Sequence, residues 1–359
     1  MKKRIKNRIG IKDIAEHAKV SIGTVDRVLH NRGEVAKSTK EHVMNIIDEM
    51  GYTPNILAKS LASKKSYKIA ILIPDYKNDN PYWKKPLIGI QQASSELRNY
   101  NFEIIISPFN INSEKSFTEK SEEIIKTNPD GFIFAPVYYK ASLEIVRRCN
   151  ELNIPYVFFD ISIDDCGNLA FFGQDSFKSG YLAARLINYG MPKNSDVMIL
   201  KLLNKSATFH HLDKRENGFC SFFSSKENKK NITICSLEIE ITSKEELNLG
   251  LSKAFMSYPS INGVFVTNSR VHKVAKYLEE NRIKDLLLIG YDLLDENLHF
   301  LEKGTINFLI GQNPEEQGYR SVIALFNHLM NHKPVQKINY SPIDIIMKDN
   351  IDYYRNIKI

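Results

Sequence analysis

Eight side chains far apart in the 359-residue chain share one chemical character: Asn80, Tyr82, Trp83, Asp160, Arg215, Asn268, Asp292 and Gln312. Aromatic faces pack on the apolar C–H faces of a pyranose or furanose, while amides, carboxylates and a guanidinium take its hydroxyls pairwise. Each residue alone has a plainer use. Asp or Asn after a strand caps a helix or shapes a turn, and Tyr82 and Trp83 could be core residues. His210 and His211 lie just ahead of Arg215 and could reach the same ligand. His328 and His332 have i, i+4 spacing, but no Glu stands between them and no third ligand is evident, so a surface pair is expected and no metal. The enzyme motifs G-x-S-x-G, G-x-G-x-x-G and G-x-x-x-x-G-K are absent, so neither an enzyme nor a cofactor is expected.

A second set of residues suits DNA. Ser21 and Thr24 fit phosphate contacts, and Arg27 fits a bidentate contact to guanine. Ile22, Gly23, Asp26 and His30 lie on the same stretch. The charge supports this placement. Residues 1–65 hold 14 Lys or Arg against 7 Asp or Glu, whereas residues 66–359 hold 35 of each, so the formal charge of +7 belongs to the N-terminal module. Such a module meets phosphates, and the neutral remainder binds through hydroxyl contacts and stacking more than through net charge.

Three zones position these residues. From Ile9 to about Gly51, Ile11, Ile14, Ala15 and Ala18 recur at helical spacing, as do Val25, Val28 and Leu29. Ser38-Thr39-Lys40-Glu41 reads as a capping box opening a third helix, with Val43, Ile46, Ile47 and Met50 as its apolar face and Gly51 as its stop. Residues 52–66 form a connector whose middle, Asn55 to Ala62, is too short to be a stable helix alone. From Lys68 on, apolar runs alternate with helical stretches: Ile69 to Pro74, Phe102 to Pro108, Gly131 to Pro136, Pro155 to Asp160, Val197 to Leu202, Ile232 to Leu237, Gly263 to Asn268, Leu286 to Tyr291 and Ile306 to Gln312. Unalternating runs are strands buried on both faces, which predicts parallel sheet with helices on each side and ligands beyond the strands' carboxyl ends. No run reaches the roughly 18 to 20 apolar residues of a bilayer span, and Met1 to Gly10 is basic without an apolar segment behind it. The four cysteines, Cys149, Cys166, Cys220 and Cys235, lack C-x-x-C spacing and read as reduced packing residues of a cytoplasmic protein.

The stretch from Ala15 to Leu29 resembles the A-x-x-A-x-V-S-x-x-T-V-S-R-V-L pattern of the lactose- and purine-repressor family of bacterial transcription regulators. Tyr52-Thr53-Pro54-Asn55-Ile56-Leu57-Ala58-Lys59-Ser60-Leu61 is similar to that family's hinge. The resemblance implies a helix-turn-helix in which Ile22 and Gly23 set operator sequence and Arg27 reads a base. It also implies paired hinge helices carrying Asn55, Ala58 and the wedge Leu61, which order only on DNA. Asp26 departs from the usual Ser. Either it accepts from a cytosine amino group or a nearby base such as Arg32 holds it.

The remainder resembles the periplasmic sugar-binding fold, which implies that the eight residues named at the outset hold the effector. The Arg that often follows the strand-end Asp is Ile161 here, and the Asp that often follows the Asn is Ser269, which bears on which sugar is bound. The expected class is an all-α helix-turn-helix domain plus an α/β periplasmic-binding-protein-like fold, two doubly wound parallel-sheet subdomains around a cleft. The expected boundaries are 1–52 for the DNA-binding domain, 53–67 for the hinge and linker, 68–190 with 312–331 for the first effector subdomain, and 191–311 with 332–359 for the second. Expected partners are pseudo-palindromic operator DNA, a sugar or polyol, and a second copy, since Ser341 to Ile359 shows no leucine heptads for a tetramer. The alternative is a solute receptor without a DNA role.

Overall fold

The computed structural model describes residues 9–29, 33–52, 66–77, 81–203, 210–225 and 230–355, the side chain of residue 355 excepted. His30, Arg32, Asn80 and the connector with Asn55, Ala58 and Leu61 lie outside these residues. The chain divides into two compact units, Met1–Lys64 and Lys65–Ile359.

The first unit contains α1 (Ile11–His17), α2 (Ile22–Leu29) and α3 (Lys37–Glu49). Apolar residues at helical spacing make its core: Ile14, Ala15, Ala18, Val25, Val28, Val43 and Ile47 are buried together, with Val20 packed against them. Lys19, at φ 51°, turns the chain between α1 and α2. The Ser21 hydroxyl accepts from the Thr24 N–H at 3.1 Å, so Ser21 caps α2. The expected capping box at Ser38 is not formed. The third helix begins at Lys37 after Ala36, which makes no side-chain cap, so Ser38 lies inside the first turn.

In the second unit the order is β1 (Tyr67–Pro74), α4 (Lys84–Leu97), β2 (Phe102–Phe109), α5 (Glu114–Ile125), β3 (Gly131–Phe134), α6 (Tyr139–Glu151), β4 (Tyr156–Phe159), β5 (Ala170–Gly173) and α7 (Ser176–Gly190). It continues with β6 (Ser195–Leu203), α8 (His210–Phe223), β7 (Ile232–Glu240), α9 (Lys244–Ser257), β8 (Ile261–Val266), α10 (Val271–Glu280), β9 (Leu287–Tyr291) and α11 (Asp295–Lys303). Then come β10 (Phe308–Gly311), α12 (Pro314–Asn331), β11 (Ile338–Tyr340), β12 (Asp344–Ile346) and α13 (Ile351–Arg355).

Two six-stranded sheets result, ordered β11-β5-β4-β3-β1-β2 and β12-β10-β9-β8-β6-β7. Every pairing is parallel except β10 with β12. Ignoring the edge strands β11 and β12, both sheets repeat one doubly wound order whose switch point lies between its first and third strands, β1/β3 and β6/β8. Strand pleat sorts the core: Met198, Leu200 and Leu202 of β6 face one buried cluster, Val197 and Ile199 the opposite one. Residues 332–359, assigned to the second subdomain from sequence, contribute one strand to each sheet.

The chain therefore crosses between the lobes after β5, after β10 and after β11. Gln174, in the first crossing, donates from Nε2 to the Gly311 carbonyl at 2.8 Å in the second and the Pro342 carbonyl at 3.2 Å in the third. Helices pack closely beside these crossings. A Cβ at Gly180 of α7 would stand 1.9 Å from the Arg215 carbonyl oxygen, and one at Gly218 of α8 the same distance from the Phe177 carbonyl, so the two backbones touch where only hydrogen fits.

Candidate functional site

Beyond the carboxyl ends of the strands, a cavity of about 70 Å3 is lined by Tyr82, Trp83, Asp160, Arg215, Asn268, Asp292 and Gln312, seven of the eight residues singled out from sequence; Asn80 lies outside the described residues. Ile111, Ile161, His211, Leu212, Ser269 and Arg270 complete the wall. The doubly wound order accounts for the location, because the strand ends and the loops beyond them converge there from both sheets.

In the first lobe, Tyr82 and Trp83 sit in a short 3-10 turn after β1 and are both buried. Their rings meet edge to face at 5.2 Å between centroids, and Trp83 meets Phe159 at 6.0 Å. They are therefore core residues and cavity wall at once. The Tyr82 hydroxyl donates to the Asp160 carboxylate in a short hydrogen bond. Burial raises the Asp160 pKa, against the lowering influence of that bond and of Arg215; burial also raises the Tyr82 phenol well above its usual value, helped by Asp160 and Asp292.

In the second lobe, Arg215 sits inside a helix and not at its head. Helix α8 begins at His210, so Arg215 lies in the second turn, with its backbone against Gly180. The guanidinium is 3% exposed; it donates to the Thr267 carbonyl at 2.7 Å and to Gln312 Oε1, and it lies 3.6 Å from the Tyr291 ring centroid. Its Nε is buried without a hydrogen-bond partner among the described residues, a donor that a ligand hydroxyl would satisfy. Gln312 Nε2 in turn donates to both Asp292 oxygens, at 2.8 and 3.1 Å. Burial pushes the Asp292 carboxyl up to about 7, outweighing Arg215 and Gln312, with the Asp160 charge adding to the rise. Asn268 donates to the Leu202 carbonyl at 2.8 Å and accepts from the Arg270 N–H at 3.2 Å, so backbone fixes its amide at the wall.

Of the two histidines ahead of Arg215, His211 lines the cavity and His210 packs on the Tyr139 ring at 4.6 Å. Burial first, then the Arg215 and His210 charges, lower the His211 pKa well below its usual value. The other two histidines do not share a helix: α12 ends at Asn331, and His332 stands beyond it at φ 49°. The described residues hold no group of three or more His, Cys, Asp or Glu able to hold a metal ion, and no helix long and apolar enough to cross a membrane.

Two supporting residues escaped the sequence reading. Asn297 is fully buried, and its Nδ2 donates to the carbonyls of Ser269, Tyr291 and Asp292 while Oδ1 accepts from the His272 N–H. It binds the loops after β8 and β9 together. The available signal was a polar residue in the apolar register of Leu294, Leu298 and Leu301. Lys201 interrupts the apolar run of β6 and reaches Asp213 at 2.6 Å, Glu216, and Glu238 at 3.2 Å. Burial alone would lower its pKa, but the three carboxylates outweigh that and raise it. Since Asp213 and Glu216 flank Arg215, this cluster anchors the helix that carries the guanidinium.

At the first unit's surface, Ile22 is 50% exposed, Gly23 and Arg27 are exposed, and Thr24 and Asp26 are half-buried. The Ser21 and Thr24 hydroxyls lie 2.9 Å apart, and Arg27 Nε donates to the Gly23 carbonyl at 3.2 Å, orienting the guanidinium along the helix's first turn.

A helix-turn-helix unit followed by a two-lobed domain with a polar, aromatic-walled cavity defines a ligand-responsive DNA-binding protein as the class. Residues 10–55 match the family described as bacterial regulatory proteins, lacI family, and residues 69–333 match the periplasmic binding protein domain. The chain belongs to the lacI family of bacterial regulators, with a periplasmic-binding-protein effector domain. It is 32% identical to the transcriptional regulator RegA of Clostridium saccharobutylicum over 49% of its own length, spanning about half, 51%, of that relative. It is 27% identical to the ribose operon repressor of Halalkalibacterium halodurans, covering 79% of this chain and 80% of that one. A solved putative LacI transcriptional regulator from Bacteroides fragilis is 34% identical, with a TM-score of 0.75, covering 81% of this chain and all of that one.

Proposed function

We propose that the chain works as a homodimeric cytoplasmic regulator that binds a pseudo-palindromic operator and responds to a sugar or polyol held between its lobes. One observation carries this reading: rings, two carboxylates, a buried guanidinium and two amides converge on one cavity in a chain that begins with a helix-turn-helix. Ser21 and Thr24 contact phosphates, the exposed Ile22 and Gly23 set sequence preference, and Arg27 reads a base, with Asp26 and His30 beside them. Asn55, Ala58 and Leu61 belong to a hinge that orders on DNA. Asn80, Tyr82, Trp83, Asp160, Arg215, Asn268, Asp292 and Gln312 hold the effector. Closure of the lobes then favours or disfavours the ordered hinge, a coupling of about 1–3 kcal/mol.

A relative's name, ribose operon repressor, supports pentoses as first probes. The test is operator selection with the full chain, followed by gel-shift titration with and without a panel of monosaccharides and inositols. Operator affinity is expected to fall steeply with salt and to change with at least one sugar. Removing residues 1–65 is expected to abolish binding; a truncated chain that still shifts the operator overturns the proposal.

A further inference from the structure

The cavity between the lobes is small for an effector. Its roughly 70 Å3 falls below the ~300–1,000 Å3 usual for small-molecule sites. A second chamber of about 560 Å3 adjoins it, and Asp160 and His211 belong to the walls of both. This outer chamber lies beside the first and third crossings. Its wall repeats the chemistry of the inner one: Asp164, Asp165, Asp175 and Asn168 supply carboxylates and an amide, while Phe177 and Tyr340 present exposed rings.

We propose that the effector is a glycoside, with one sugar unit in the inner cavity and a second, sugar-sized polar unit in the outer chamber. The inference rests on the sugar-effector reading and narrows it. Tyr340, 54% exposed, and Phe177, 39% exposed, offer faces to the C–H surface of the outer unit, as Tyr82 and Trp83 line the inner site. The carboxylates accept from its hydroxyls. Four Asp with two Lys around the chamber, one of the lysines, Lys214, bonded to Asp164 at 2.9 Å, disfavour a phosphate in this position. His211, with its pKa lowered by burial, stands at the junction of the two chambers, where the glycosidic oxygen would pass.

The experiment is calorimetry on the full-length protein with matched probes: ribose, arabinose, glucose and galactose against maltose, cellobiose, lactose and trehalose, with glucose 6-phosphate as the charged control. At least one disaccharide is expected to bind about tenfold or more tighter than its constituent monosaccharides, a margin of about 1.4 kcal/mol. Tyr340→Ala, at an exposed position outside the inner cavity, is expected to remove most of that margin while leaving monosaccharide affinity unchanged. Monosaccharides that bind as well as or better than every disaccharide, or a margin that survives both Tyr340→Ala and Phe177→Ala, overturn the glycoside proposal and leave the sugar reading standing. If neither set binds, both fall.

Discussion

Asp160 and Asp292 occupy equivalent places in the two lobes. Each follows the strand adjoining the third strand of its doubly wound order, β4 or β9, and each adopts the left-handed conformation, at φ 63° and 71°. Each N–H donates to the next strand, Asp160 to the Phe172 carbonyl at 2.9 Å and Asp292 to the Ile310 carbonyl at 3.0 Å. The backbone trick is one and the same, and Asp is among the few residues that adopt it readily. The partners differ. Asp160 receives a single phenol from Tyr82 and is partly exposed to the cavity, whereas Asp292 is buried in a chain of bonds running through Gln312 and Arg215 to the Thr267 carbonyl. One fold has thus furnished a wall of rings with a lone carboxyl, and opposite it a preassembled polar network.

The sharpest way to break this comparison is Arg215→Met, which removes the centre of the network while keeping comparable bulk. Loss of a buried, hydrogen-bonded charge typically costs about 3–5 kcal/mol when its partners stay behind. Thermal denaturation is expected to show that loss, and calorimetry an effector affinity reduced by a hundredfold or more; near-normal binding would mean the network is only scaffolding.

Asp292→Asn probes the same wall through its proton. With a native pKa of about 7 against 3.8, the folded protein holds more protons than the unfolded chain between those values, so this group's contribution to stability is full below pH 3.8 and is lost as pH rises through 7. Through this group, unfolding midpoints measured from pH 4.5 to 8 are expected to fall with pH in the parent, against the opposite slope that the lowered His211 pKa adds below about 6.5. In the variant the slope flattens, with a gain on the order of 1–3 kcal/mol at neutral pH. Asp160, raised in the same direction, retains part of the slope.

Tyr82→Phe acts on the other wall with the smallest effect. It keeps the ring and deletes the hydroxyl that Asp160 accepts from, so stability is expected to change by about 1 kcal/mol. Effector affinity measured by calorimetry falls about tenfold at most. An effect as large as that of Arg215→Met would erase the distinction between the walls.

The sequence made most of this arrangement legible because buried parallel strands leave dense apolar runs, and all nine runs are strands. The three strands it missed are short. Ala170-Phe171-Phe172-Gly173 has no β-branched residue, and β11 and β12 are three-residue edge strands that are exposed or half-buried in all but Ile346, so no periodicity marks them. Strand-end residues were identified by their place after the runs. The distances between them, the position of Arg215 within its helix and the clamp by Asn297 depend on contacts distant in sequence, and local pattern carries no trace of those.

Gln174 has a mechanical meaning. Three covalent strands already prevent the lobes from drifting apart, but three separate cords can still twist and slide against one another. By tying the first crossing to the carbonyls of the other two, a single amide gathers the cords into one pivot, so that relative motion is steered into rotation about a common axis. If output follows how far the lobes turn, as the proposed function requires, that amide is the equivalent of a hinge pin.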